Sequence, residues 1–93
     1  MKYVFSVEPY SEVARVSTET EKKEGARMLR ELLARLKAEV SYFSTTRRFA
    51  FLVVNVEDPH VELRKIYETL STWGNVTVDP VSNVEEFIRY LEK

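Results

Sequence analysis

The stretch RRFAFLVVNVEDP, residues 47–59, decides how this chain folds. From Phe49 to Val54 every residue is apolar, and the run reaches Val56 with only Asn55 between. A strand with one wet face alternates apolar and polar side chains, so a strand apolar on both sides needs cover on both. Asp58-Pro59 then ends the strand and opens a helix, with Asp as N-cap and Pro at the first helical position. The question is what covers the second face.

Working outward, VSYFST (40–45) reads as the preceding strand, joined to the next strand (48–56) through Thr46 and Arg47. A turn over Thr46-Arg47, or over Thr45 to Arg48, pairs Ser44 with Phe49, Tyr42 with Phe51 and Val40 with Val53. One face then carries Phe49, Phe51, Val53, Tyr42 and Ser44, with Asn55 at its end. The other carries Ala50, Leu52, Val54, Val56 and Phe43, small and aliphatic for the most part and suited to helix packing. A three- or five-residue connection would put Phe43 beside Phe51 instead. TTRR lacks the Gly or Asn that two-residue turns prefer, so a contact between Phe43 and Phe51 is what would overturn the expected pairing of Tyr42 with Phe51.

KYVFSVE (2–8) alternates and is the first strand, ended by Pro9. Residues 10–17 are compatible with a strand, a loop or an early helical turn. Thr18 with Glu21 is a capping box for a helix over about 18–38, striped by Met28, Leu29, Leu32, Leu33 and Leu36. Glu19–Lys23 and Glu31–Arg35 have i, i+4 spacing on its other side. Gly25 marks either a close helix–sheet contact or a tolerated Gly.

The helix after Asp58 has a stripe of Leu63, Ile66, Tyr67, Leu70 and Trp73, closed by Gly74. NVTVDPV (75–81) is strand four. Ser82 with Glu85, or Asn83 with Glu86, caps a last helix striped by Val84, Phe87, Ile88 and Leu91. The order β-α-β-β-α-β-α is the α+β, ferredoxin-like pattern in one domain, 1–93, with sheet order 4-1-3-2, both main helices on one face and an added C-terminal helix.

Helices on one face leave Phe49, Phe51 and Val53 on the other. Each large side chain buried contributes roughly 1.5–3 kcal/mol, and several left exposed together exceed what monomers usually carry. A second copy is the economical cover: two sheets face to face form a dimeric α/β barrel, an isologous homodimer.

Composition narrows function by exclusion. The 93 residues carry a net charge of −1 and no basic stripe, so nucleic acid is not an expected partner. The longest apolar run is six residues, which is no membrane span, and the N-terminus has no signal-peptide pattern, so a cytoplasmic location is expected. With no Cys and one His, thiol nucleophiles, thiolate zinc sites and a two-His metal site are not available within one chain, and no cofactor or metal is expected. Thirteen Glu against two Asp, with no Gln, resembles the composition of thermophile proteins.

The layout resembles the dimeric α/β-barrel superfamily. TWGNVTVDPVSNVEEF (72–87) is similar to the closing segment of one small family of unassigned function within it, in which a Trp ending the second helix is followed by a strand, a Pro-Val pair and an acidic-started helix. KYVFSV and RRFAFLVV are similar in kind. The resemblance implies the fold and a dimer, and no activity. Strand two of that family often carries an aromatic followed by His. Here Tyr42-Phe43-Ser44 has no His, so no role for that His transfers.

The candidate ligand-binding groups are Ser6, Tyr42, Ser44, Asn55 and Trp73. Asn55 interrupts an apolar strand, and a buried amide there would need a partner across the dimer or a ligand in a cavity. Trp73 packs as core or walls a pocket. Arg47 and Arg48 at the hairpin are solvated, or grip an anionic ligand or a partner's carboxylate. Glu8 and Asp79, each before a Pro, are turn residues or a carboxylate pair. His60, second in its helix, is expected to face solvent. Two functions fit. One is a non-catalytic homodimeric module binding a small hydrophobic ligand or a protein. The other is a cofactor-free isomerase or oxygenase of the dimeric-barrel kind, for a small hydrophobic or aromatic substrate.

Overall fold

The computed structural model describes residues 1–11, 18–44 and 46–93; most of the ambiguous segment 10–17, namely 12–17, and Thr45 of the hairpin lie outside the described residues. The elements are β1 (Lys2–Pro9), α1 (Glu19–Leu36), β2 (Val40–Phe43), β3 (Ala50–Asn55), α2 (Pro59–Ser71), β4 (Gly74–Val81) and α3 (Val84–Glu92). The strands form one four-stranded antiparallel sheet in the order β2-β3-β1-β4. This α+β arrangement is compatible with the ferredoxin-like pattern.

The β2–β3 register settles the hairpin parity. Tyr42 lies opposite Phe51 and Val40 opposite Val53. The Ser44 amide donates to the Phe49 carbonyl at 2.9 Å, closing the connection. The turn has a local support that compensates for its missing Gly: the Arg47 amide donates to Ser44 Oγ at 3.0 Å.

The core lies on one face of the sheet. Tyr3, Phe5 and Val7 of β1 and Leu52, Val54 and Val56 of the β3 segment meet Leu32 of α1 with Ile66 and Leu70 of α2. Period two in the strands and period 3.6 in the helices bring these residues together. Phe5 is fully enclosed.

Thr18 caps α1, accepting from the Glu21 amide at 3.1 Å, and Lys37 ends it in the left-handed conformation with φ 53°. Asn83, not Ser82, caps α3, accepting from the Glu86 amide at 3.0 Å. Asp58 occupies the N-cap of α2 without a capping side-chain bond. The Glu62 carboxylate instead reaches back past the helix start, accepting from the amides of Glu57 at 2.8 Å and Asp58 at 3.2 Å.

Several expectations need correction. Leu32 is buried and Leu33 and Leu36 pack against the core, but Leu29 is exposed and Met28, also exposed, borders an open cleft beside Trp73 instead of closing on the core. Tyr67 of α2 is likewise exposed. Phe43 falls on the helix side of the edge strand β2, yet is 62% exposed, since the helices do not reach over that edge. On α1, Glu31 pairs with Arg27 at 2.7 Å rather than with Arg35. Gly25 has open space around it, so it marks no close contact. Gly74 is different: it begins β4 hard against β1, where an added Cβ would lie 2.1 Å from the Glu8 carbonyl oxygen. The α3 stripe is wholly exposed.

Candidate functional site

The helix-free face of the sheet is built from cross-strand rows. Val40, Val53, Val4 and Asp79 form one row. Tyr42, Phe51, Ser6 and Thr77 form the next. Toward the hairpin, Phe49 follows on β3's side and Glu8 pairs with Asn75; at the opposite end, Asn55, Lys2 and Val81 align.

This face is divided chemically. Its β2–β3 half is apolar and aromatic. Phe51 is at its centre, with its ring 6.0 Å from Tyr42 and 5.4 Å from Phe49, in tilted geometries that aromatic pairs favour. Phe49, Phe51 and Val53 are half-buried, while Tyr42 is 63% exposed. The β1–β4 half is polar: Ser6, Thr77, Asn75, Asp79 and Glu8.

At the hairpin end the two halves meet in a cleft of about 480 Å³, lined by Ser6, Glu8, Arg47, Arg48, Phe49 and Thr77, among others. Arg47 and Arg48 form no ion pair among the described residues. Two guanidiniums beside an aromatic wall and hydroxyl donors can hold a small carboxylate, the charge on the forked donors and the apolar body against Phe49. Glu8, on the same cleft, opposes a second negative charge.

The structure brings Ser6 and Tyr42 together in one row, with Phe51 between them. Ser44 instead serves the turn, taking the Arg47 amide and lying 3.5 Å from Thr46 Oγ1. Asn55 is exposed, not buried, because the end of β3 has little above it; its Oδ1 accepts from the Met1 nitrogen at 3.1 Å. Trp73 lies on the other side of the sheet. It packs against the core and walls a second cleft, of about 360 Å³, with Met28, Leu32 and Arg35 of α1 and Thr69 and Thr72.

Glu8 and Asp79 share the open face but sit two rows apart, so they make no carboxylate pair. His60 is exposed on the first turn of α2. Asn75 and Thr77 were missed by sequence reasoning. The signal was present, since they alternate with Val76 and Val78, which pack toward the core.

Electrostatic perturbation lies elsewhere. On α1, Arg27 bonds Glu24 and also Glu31, and the hydrogen bond from Arg27 holds the Glu24 carboxyl below its ordinary range. The same partners keep the Arg27 guanidinium charged. Among the described residues, no three His, Asp or Glu side chains cluster as a metal site would require, and no helix is long and apolar enough to cross a membrane. Compared with known proteins, the sequence matches no family model and no curated protein.

Proposed function

We propose that this chain is a homodimeric binding module: two copies close their helix-free sheet faces on each other as a dimeric α/β barrel, and the hairpin-end cleft receives a small carboxylate with an apolar body. One observation carries the reading, the cluster of Phe51, Phe49 and Tyr42 on a face that none of the described helices covers. Bringing such side chains out of water is the main gain available to this surface. Polar residues of the β1–β4 half would form a wet margin, as interfaces generally have. The chemistry of the cleft is recognition, with cations, hydroxyls and a ring positioned to hold rather than to transform.

Light scattering at micromolar concentration tests the assembly. Twice the chain mass is expected. Phe51→Glu places a charge in the centre of the interface and gives monomer, whereas Lys65→Glu, on the exposed side of α2, leaves the mass unchanged. A wild-type monomer overturns the proposal.

A further inference from the structure

The least explained element is α3. Val84, Phe87, Ile88 and Leu91 recur at i, i+3, i+4 and i+7 and so form one apolar face. All four are exposed, Val84 by 71% and Leu91 by 64%. Tyr90, stacked on Phe87 at 6.5 Å, extends the same surface. The helix is locally well specified, with the Asn83 cap, Glu85 and Glu86 in its first turn and Arg89 in its last. Yet it has nine residues, fewer than the ~12–15 that an isolated helix needs to be even marginal in water. Such a helix persists by packing its apolar face, and none of the described residues covers it.

The shape of the chain repeats the point. Its radius of gyration is 15.3 Å, against about 12 Å expected for a compact domain of this length. The long dimension is 56 Å.

We infer that α3 is an exchanged arm, whose face of Val84, Phe87, Ile88 and Leu91 packs on a second copy of this chain. The inference rests on the homodimer proposed above, and it adds a second contact region to it.

Two observations select a second copy over an unrelated partner. The first is area. Phe87, Tyr90 and Tyr42 are each more than half exposed, and an aromatic side chain presents ~150–250 Å². With the neighbouring aliphatics of the helix and open face, the apolar surface reaches the order of the ~800 Å² that each partner of a standard interface contributes.

The second is continuity. β4 ends at Val81, which shares its row with Lys2 and Asn55 on the helix-free face. Only Ser82 and Asn83 separate Val81 from the helix, a reach of at most ~7 Å per two residues. A partner sheet laid on the open face therefore borders the start of α3, and a twofold axis supplies the contact twice. With a net charge of −1, self-association meets little electrostatic opposition.

The test compares three full-length proteins by light scattering and sedimentation over a concentration series. The double variant Phe87→Glu, Leu91→Glu is expected to weaken the dimer at least ~100-fold, while retaining the wild-type sheet signal in circular dichroism. An unchanged dimer in that variant, with Phe51→Glu monomeric, overturns the arm and leaves the open-face dimer standing. The reverse pattern supports the arm and removes the open-face contact. A monomeric wild type overturns both. Should the double variant fail to fold, hydrogen exchange of the wild-type α3 amides decides: protection that rises with protein concentration supports the exchange, and protection independent of concentration overturns it.

Discussion

Tyr42 and Phe51 meet across the β2–β3 pair on the helix-free face, their ring centroids 6.0 Å apart and their planes tilted by 55°. The contact follows from the register, which places the two residues directly opposite. It joins an exposed edge-strand ring to a half-buried one near the sheet centre. A double-mutant cycle of Tyr42→Ala and Phe51→Ala, read by urea unfolding at one protein concentration, should give a coupling of ~0.5–1.5 kcal/mol. Coupling near zero would show that the rings are neighbours without being partners.

Phe5 is the largest fully buried side chain. Phe5→Ala should destabilise the fold by ~3–5 kcal/mol, because the sheet and two helices around it cannot all close on the space. Urea unfolding measures this directly. A loss below about 1 kcal/mol would mean that the core relaxes freely.

The two glycines should respond in opposite directions. Gly25 lies within α1 with nothing within 4 Å of an added Cβ. Gly25→Ala should therefore stabilise by ~0.5–1 kcal/mol through helix propensity. Gly74→Ala forces a methyl group into the Glu8 backbone and should cost ~1–3 kcal/mol or more. Thermal midpoints of the two variants should lie on either side of wild type.

Acid should erase one local contribution on α1. The carboxyl of Glu24 is held below its ordinary range by the hydrogen bond from Arg27, so the folded state binds fewer protons there than the unfolded chain. Its contribution is present above the ordinary carboxylate range and is lost as pH falls through the lowered value. Glu24→Gln should be less stable than wild type at pH 7, with the difference shrinking in high salt because the pair is exposed to solvent, and vanishing in acid. A difference unchanged by acid would point to another cause.

Benzoate is a suitable probe for the hairpin-end cleft. Calorimetry should detect binding that the double variant Arg47→Ala, Arg48→Ala weakens at least tenfold and that salt also weakens. Inorganic phosphate should bind less well, since Glu8 faces the same space. Equal binding by wild type and variant would remove the cleft from the proposal.

Much of the fold was legible in the sequence because its signals are local. Alternation in KYVFSVE, the apolar run from Phe49 to Val54, the Thr18 cap and the Asp58-Pro59 junction each specify an element through nearest neighbours along the chain. The strand order and the Tyr42–Phe51 register follow from element order and turn parity. What the sequence could not supply was coverage. A stripe shows that a face is apolar, but not whether another element extends far enough to bury it. Met28, Leu29 and Phe43 carry the same pattern as Leu32 and Leu52, yet no described element closes over them and they stay exposed.

The same distinction holds at the site. Alternation with an even hairpin connection put Phe51 and Tyr42 on one face, and the β1–β3 register added Ser6 to it. Only tertiary structure decided that Asn55 meets the Met1 nitrogen, that Trp73 belongs to the helix side, and that Arg47 and Arg48 converge with Ser6 and Thr77 on one cleft. It also decided that α3 has all the local marks of a buried helix and, among the described residues, nothing to bury it. Periodicity is set by backbone geometry within a few residues, whereas burial depends on where distant segments come to rest.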